Sequence, residues 1–262
     1  MTTNPRFRIA ASTYLNSAPL IWSFLHGAKR DTVDFIDAVP ARCAQLLSQN
    51  EVNAALIPVI EYQRIPGGAL VPDVCVGSQN EVRSVVLVSK NIQLEDIRTV
   101  ALDESSRTSA TLVKIIFREF LGCEPDWTTQ SPNLDEMLDR NDAALIIGDP
   151  GMTFPRTGLK VWDMATLWRN YTGFGFVFAM WMVGDERAIN VDFAGARDEG
   201  ITRIEDIVNA YQEKIPQMDL RKYLTENIVY RIDDSMQRGL ELYFELADKH
   251  GLIERVKPLR YI

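Results

Sequence analysis

The sequence predicts an α/β protein with two lobes. Strand signals alternate with amphipathic helix signals, which is typical of parallel strands covered by helices. Two apolar strands, Arg83 to Ser89 and Phe174 to Val183, have no clear helical partner and bracket the middle of the chain. We interpret them as crossings between lobes. Lobe one then comprises residues 1–90 and 184–262, and lobe two comprises residues 91–183.

The first half of the chain begins with a strand, a polar loop and a helix. The strand is Phe7 to Ala11, the loop is Ser12 to Ser17, and the helix has Pro19 near its start and Gly27 after its end. The elements that follow are a strand from Val33 to Val39, a helix from Pro40 to Leu47, a short strand from Ala54 to Ile57 and a strand from Val82 to Ser89.

The second half continues with the same alternation. Val100 to Leu102 is a strand, and the segment after it has the apolar spacing of a helix that stops at Gly122. The later elements are a helix from Ser131 to Leu138, a buried strand from Ala143 to Ile147 and helices from Ile201 to Lys214 and from Ser235 to Lys249. This order predicts mostly parallel strand pairing with both sheet faces covered.

The turn that precedes the predicted helix ending at Gly122 has the composition of an anion site. It reads Asp103-Glu104-Ser105-Ser106-Arg107-Thr108-Ser109. Backbone N–H groups and the positive end of the dipole face outward at a helix start, and a guanidinium can grip a carboxylate through two hydrogen bonds. An ordinary helix cap needs one or two hydroxyl groups, whereas four surround Arg107. We therefore expect a small carboxylate ligand.

Composition narrows the class of protein. The 262 residues are 46% apolar and carry a formal net charge of −8, and basic residues form no run, so we expect no nucleic-acid partner. The polar start of the sequence and the lack of a long apolar run predict a cytoplasmic protein without a membrane segment. Three widely spaced cysteines predict reduced thiols. The sequence leaves the oligomeric state open.

Several polar or turn-forming residues follow the carboxyl ends of predicted strands. They are Asn16, Pro58, Ser106 and Asp149. Ligands of open α/β sheets bind at this end of the strands, so we expect the four positions to converge on one cleft.

Six ordered motifs between about residue 8 and residue 183 resemble the chorismate dehydratase family of the futalosine route to menaquinone. They are Tyr14-Leu15-Asn16-Ser17-Ala18-Pro19-Leu20, Ala55-Leu56-Ile57-Pro58, Ser84-Val85, Ala101-Leu102-Asp103 with Ser105 to Ser109, Ile147-Gly148-Asp149, and Thr172-Gly173 with Phe176 to Ala179. The resemblance implies a two-lobed fold similar to type 2 periplasmic binding proteins, with two crossings. It also implies loss of water from chorismate to give 3-[(1-carboxyvinyl)oxy]benzoate.

We expect Asn16 to be catalytic, by hydrogen bonding to a carboxylate or to the departing hydroxyl. The expected substrate-binding residues are Ser84, Ser105, Ser106, Arg107, Thr108, Ser109, Asp149, Thr172 and Gly173. The chain departs from the family pattern at Pro150-Gly151-Met152 and at Phe174-Gly175 in the stretch Gly173-Phe174-Gly175. No phosphate loop, dinucleotide fingerprint, zinc-ligand spacing or nucleophile elbow occurs, so we expect no cofactor and no metal.

The sequence leaves the proton acceptor open. His26 and His250 lie outside every motif, and we expect both to be structural. Asp103 and Asp149 stand at strand ends, where an aspartate is as often a cap as a base. The third candidate is the enolpyruvyl carboxylate of the substrate itself, which we favour.

Two other functions remain as alternatives. One is a small-carboxylate binding protein without catalysis, because this fold serves that role widely. The other is the sister enzyme of the same route, 1,4-dihydroxy-6-naphthoate synthase, which acts on a larger cyclic nucleoside-derived substrate. The run from Ser105 to Ser109 fits the dehydratase better, and we cannot place the histidine base that the resemblance would require of the sister enzyme.

Overall fold

The computed structural model describes residues 6–184 and 190–262, which form two five-stranded sheets with helices around them. The strands are β1 (Phe7–Ala11), β2 (Val33–Asp37), β3 (Ala54–Pro58), β4 (Ala69–Ser78), β5 (Val85–Ser89), β6 (Thr99–Asp103), β7 (Asp126–Gln130), β8 (Ala143–Ile147), β9 (Lys160–Asp163) and β10 (Phe176–Val183). The first sheet has the order β2-β1-β3-β10-β4, and the second has the order β7-β6-β8-β5-β9.

The helices cover the sheets and build most of the C-terminal section. They are α1 (Ala18–Leu25), α2 (Pro40–Ser48), α3 (Glu61–Arg64), α4 (Thr108–Ile115), α5 (Leu134–Arg140), α6 (Pro150–Thr153), α7 (Met164–Thr172), α8 (Phe193–Thr202), α9 (Ile204–Tyr211), α10 (Leu220–Lys222) and α11 (Asp234–Lys249). Two of them, α4 and α10, continue into π-helical turns, Ile116–Phe120 and Tyr223–Asn227. Among the described residues, no helix combines the length and apolar character needed to cross a membrane.

The prediction of mostly parallel pairing is wrong. In each sheet two strand pairs are parallel and two are antiparallel: β1 pairs in parallel with β2 and β3, whereas β10 runs antiparallel to β3 and β4. In the second sheet β6 makes the parallel pairs and β5 the antiparallel ones. The strand that enters each sheet from the other lobe runs against its neighbours, since no helical crossover returns the chain to the starting edge.

The two predicted crossing strands are members of the sheets. Strand β5 belongs to the second sheet and β10 to the first, so the chain changes sheet between residues 78 and 85 and between residues 172 and 176. The predicted boundaries at 90 and 183 lie at the ends of β5 and β10, several residues after these changes of sheet. Strands buried in either sheet have the same apolar sequence, so the pattern does not say which sheet they join. We propose to divide the lobes at these two short connections.

The C-terminal section packs on the first sheet and reaches the second. The predicted helix from Ile201 to Lys214 overlaps the last two residues of α8 and contains all of α9, and the one from Ser235 to Lys249 corresponds to α11. From α11, the Tyr243 hydroxyl donates to the Thr108 carbonyl at 2.9 Å. The section thus fastens the start of α4, which carries the predicted anion site.

Candidate substrate-binding site between the lobes

A cavity of about 490 Å³, which is partly open to solvent, lies between the two sheets. Loops and strand ends of both lobes form its wall. The lining residues are Tyr14, Asn16, Ser17, Pro40, Pro58, Val76, Val85, Ser105, Ser106, Arg107, Thr108, Ser109, Ile147, Gly148, Phe178 and Ala179. Apolar side chains form one part of this wall, and hydroxyl groups, one amide and one guanidinium form another.

The turn between β6 and α4 forms the polar wall in lobe two. The Asp103 carboxylate is buried and accepts from the Ser105 backbone N–H at 2.8 Å and from the Ser105 hydroxyl at 2.6 Å. It also accepts from the Ile147 backbone N–H at 3.3 Å. Burial raises the pKa of Asp103 above its usual range, and these hydrogen bonds oppose the shift. Asp103 therefore stabilises the turn, and the Ser105 hydroxyl donates its proton to Asp103 and not to a ligand.

Two other hydroxyl groups of the turn keep their protons for a ligand. The Ser106 hydroxyl accepts from the Ala110 backbone N–H at 3.2 Å, and the Thr108 hydroxyl accepts from the Ile60 backbone N–H at 3.3 Å. Each bond uses a lone pair of the hydroxyl oxygen and leaves its O–H free to donate. Both residues line the cavity, so the turn presents hydroxyl donors to a bound anion.

Arg107 supplies the charge of the site. Among the described residues that line the cavity, it is the one with a charged side chain. The side chain is exposed, and no described residue accepts a hydrogen bond from its guanidinium. An unpaired guanidinium at a helix start attracts a carboxylate through both its charge and its paired donors.

Asn16 faces the Arg107 turn from lobe one. It lies on the loop after β1, is half-buried and lines the cavity. The Ser17 hydroxyl donates to its amide oxygen at 3.1 Å, which leaves the amide N–H groups for a ligand. The loop is fixed from two sides: the Thr13 hydroxyl donates to Asp37 at 2.9 Å, and the Tyr211 hydroxyl donates to the Thr13 carbonyl at 2.6 Å.

The structure brings six of the ten predicted site residues to the cavity wall. They are Asn16, Ser105, Ser106, Arg107, Thr108 and Ser109. Their roles toward a substrate remain predictions. The expected convergence of strand ends also holds for Pro58, which lines the same cavity.

The other four predicted site residues lie outside this lining. Ser84 is fully buried and accepts from the Tyr223 hydroxyl at 2.7 Å. Asp149 accepts from the Leu15 backbone N–H at 2.9 Å and so joins the lobes, while its neighbour Gly148 lines the cavity. These contacts are between residues far apart in sequence, so the local pattern could not predict them.

Thr172 and Gly173 end helix α7. The Thr172 hydroxyl donates to the Trp168 carbonyl at 2.8 Å, and Gly173 has a φ of +78°, the left-handed conformation of a helix C-terminus. Gly173 is exposed. Their positions support a role in ending the helix before the second crossing. They do not support the predicted contact of Thr172 and Gly173 with the substrate.

Neither histidine is among the residues that line the cavity. The His26 ring packs against Trp22 with the ring centroids 4.5 Å apart, and a His250 ring nitrogen lies 2.7 Å from a Glu119 carboxylate oxygen. Within the described residues, no three histidine, cysteine or acidic side chains are grouped so that they could hold a metal ion.

The apolar wall and Tyr14 line the cavity without having been predicted from the sequence. Val76, Val85 and Phe178 come from three different strands and read as ordinary buried residues, so only the pairing of the strands shows that they face the cavity. Tyr14 begins the motif that ends at Leu20, and its place on a polar loop two residues before Asn16 could have indicated a position at the cavity.

Comparison with known proteins assigns the family. A family model described as menaquinone biosynthesis matches residues 7–249. The chain belongs to this family. One relative, the chorismate dehydratase of Thermus thermophilus, is 29% identical over 256 residues, which cover 88% of this chain and 92% of that protein.

Solved structures show the fold of this family member. Protein AF1704 of Archaeoglobus fulgidus superposes with a TM-score of 0.75 at 16% identity and covers 95% of this chain and 98% of its own. The periplasmic aliphatic sulphonate binding protein SsuA of Escherichia coli has a TM-score of 0.63 at 15% identity, with coverage of 99% and 94%. The predicted likeness to periplasmic binding proteins is confirmed.

Proposed function

We propose that the chain is a chorismate dehydratase, which converts chorismate into 3-[(1-carboxyvinyl)oxy]benzoate and water. The observation that carries the proposal is the cavity wall: an unpaired guanidinium and free hydroxyl donors on one side, and an apolar surface on the other. This wall suits a small cyclic dicarboxylate. Membership of the menaquinone biosynthesis family and the likeness to the Thermus thermophilus enzyme support the same conclusion.

The reaction removes a proton from C3 of the ring and hydroxide from C4. The electron pair of the C3–H bond becomes the new ring double bond, the C4–O bond breaks, and the hydroxide leaves as water after it takes up one proton. The ring becomes aromatic, which drives the reaction forward. Because C3 is vinylogous to the ring carboxylate, negative charge that develops at C3 spreads to that carboxylate.

The turn from Ser105 to Ser109 is our candidate for stabilising this charge. The Ser106 and Thr108 hydroxyls and the Arg107 guanidinium are donors fixed in place before the reaction, and such groups stabilise a transition state without having to reorganise. A carboxylate whose charge increases in the transition state gains more from them than it does in the ground state.

The enolpyruvyl carboxylate of chorismate is our candidate for the proton acceptor. The carboxylates of Asp103 and Asp149 are occupied by backbone N–H groups, and neither aspartate lines the cavity. The substrate carboxylate is attached next to C3 and reaches its proton without help. Asn16 then orients the substrate or the departing hydroxyl, which an uncharged amide can do.

The proposal makes the chain a hydro-lyase that acts in the cytoplasm without cofactor or metal. The test is a reaction of the purified protein, treated with a metal chelator, with chorismate alone. We expect 3-[(1-carboxyvinyl)oxy]benzoate to accumulate, detected by chromatography and mass, at the same rate with and without chelator. Chorismate that binds and is recovered unchanged would contradict the proposal and favour a binding protein without catalysis.

The sister enzyme is the second alternative. Its cyclic nucleoside-derived substrate is larger than chorismate, and the hydroxyl-rich turn from Ser105 to Ser109 that lines the cavity favours the dehydratase. Consumption of a cyclic futalosine derivative, with chorismate left intact, would assign the chain to that reaction instead.

A further inference from the structure

Tyr14 stands at the boundary between the cavity and the solvent. An open cleft of about 1290 Å³ adjoins the cavity, and its lining includes Tyr14, Ser105 and Arg107, which also line the cavity itself. These three residues therefore separate the inner space from the outer one. Tyr14 comes from lobe one, whereas Ser105 and Arg107 come from lobe two.

The Tyr14 ring lies against the backbone of the opposite lobe at Gly148. A Cβ atom built on Gly148 would stand 2.6 Å from two carbons of the ring, a distance that real Cβ atoms do not show. Gly148 also has a φ of +68°, which disfavours other residues. A glycine here lets the ring rest on the chain between β8 and α6.

The chain around Tyr14 is held, and the ring is the part that spans the gap. The Leu15 backbone N–H donates to Asp149 across the lobes at 2.9 Å, and the Thr13 backbone N–H donates to Asp37 within lobe one at 3.1 Å. The Tyr14 side chain is half-buried. The Tyr14 ring can therefore move away from Gly148 by a rotation of the side chain or by separation of the lobes.

We propose that Tyr14 is the gate of the cavity and that it sets the size of the ligand the cavity accepts. With the ring on Gly148, the site holds a small cyclic dicarboxylate and closes it off from the outer cleft. A bulkier substituent on the ligand would push the ring off its seat. The inference rests on the proposed function for the identity of the ligand.

The test measures how fast the reaction product enters and leaves the site. Stopped-flow mixing of the enzyme with 3-[(1-carboxyvinyl)oxy]benzoate gives both rate constants. For Tyr14→Ala we expect association and dissociation to speed up together by roughly tenfold, as if a barrier of about 1.4 kcal/mol were removed. Tyr14→Phe keeps the ring and loses only the interaction of its hydroxyl with Ser105, so product exchange should change much less than in Tyr14→Ala. Tyr171→Ala, an exposed tyrosine outside the cavity lining, is the matched control.

A double-mutant cycle tests the seat on Gly148. Gly148→Ala places a methyl group where the ring lies, so we expect a KM at least about tenfold higher in the wild-type background. In the Tyr14→Ala background the methyl group has room, and the same substitution should change KM much less. Backbone strain at Gly148 is present in both backgrounds, so the difference between them isolates the contact with the ring.

The results separate the gate from the proposed function. Turnover of chorismate with unchanged product exchange in Tyr14→Ala would overturn the gate and leave the function standing. A faster dissociation with unchanged association would make Tyr14 a simple binding contact, which also overturns the gate. If the wild type neither converts chorismate nor binds the product, the proposed function is wrong. The gate proposal is then wrong as well, because it takes its ligand from that function.

Discussion

We predict that binding of a carboxylate depends most on Arg107. Arg107 lines the cavity, and its guanidinium has no acceptor among the described residues. All of its hydrogen-bond donors are therefore free to bind a ligand. A charge-assisted hydrogen bond contributes about 1.5–3 kcal/mol, and we expect Arg107→Ala to lower kcat/KM for chorismate roughly ten- to a hundredfold. Steady-state kinetics measures this loss.

The controls for Arg107 separate charge from geometry. Arg107→Lys should recover little activity, because an ammonium group cannot form the paired bonds of a guanidinium. Arg156→Ala removes an exposed arginine of the same lobe that packs on Phe154, and we expect normal kinetics. Normal kcat and KM in Arg107→Ala would show that Arg107 does not anchor the substrate.

We predict opposite effects on activity for substitution of Asn16 and for substitution of the histidines. Asn16→Leu should be severely impaired, since the amide that faces the cavity is lost, whereas His26→Ala and His250→Ala should stay active. If the substrate takes the proton, kcat should also not fall as the pH drops through about 6.5, where a histidine base would become protonated. A folded but inactive histidine variant, or a fully active Asn16→Leu enzyme, contradicts this assignment.

At the scale of elements, helix α9 holds the loop that carries Asn16. The Tyr211 hydroxyl donates to the Thr13 carbonyl at 2.6 Å, and burial raises the pKa of Tyr211 to about 12, so the hydroxyl remains a donor at neutral pH. We expect Tyr211→Phe to lower kcat/KM about fivefold, the value of a hydrogen bond near 1 kcal/mol. Tyr261→Phe removes a hydroxyl bonded to Gln237 and should leave the kinetics unchanged. An equal effect of both substitutions would argue against a specific role for Tyr211.

Asp163 ties the first crossing to helix α7. Its carboxylate accepts from the backbone N–H groups of Val82, Arg83, Ala165 and Thr166. Asp163→Ala leaves these donors without their acceptor, and we expect the free energy of unfolding to fall by about 2–4 kcal/mol in urea titrations. Asp192→Ala removes the exposed cap of α8 and should cost about 1 kcal/mol or less. Equal losses would show that Asp163 acts as an ordinary cap.

At the scale of the whole molecule, a ligand between the lobes should stabilise the fold. The lobes meet at the bonds of Leu15 with Asp149 and of Ile60 with Thr108, and a ligand in the cavity adds contacts to both sides. A product concentration of 100 times Kd should stabilise the native state by about 2.7 kcal/mol, seen as a higher Tm in thermal unfolding. Arg107→Ala should show a smaller shift at the same concentration. The absence of any shift in the wild type would contradict binding between the lobes.

The sequence by itself determined the α/β class and the position of the anion-site turn. Both depend on local information: apolar periodicity separates strands from helices, and the residues from Ser105 to Ser109 are consecutive and start a helix. The rule that ligands bind at the carboxyl ends of strands placed Asn16 and the turn each at a strand end. Their approach also depends on the packing of the lobes, because β1 and β6 belong to different sheets.

The tertiary structure alone decided which sheet β5 and β10 join and which polar residues face the cavity. A strand buried on both faces has the same apolar sequence in either sheet, so its partners follow from the path of the whole chain. In the same way, bonds to residues more than a hundred positions away direct Ser84 toward Tyr223 and Asp149 toward Leu15. Such contacts leave no local pattern, because each side chain's orientation depends on a partner that only folding brings near it.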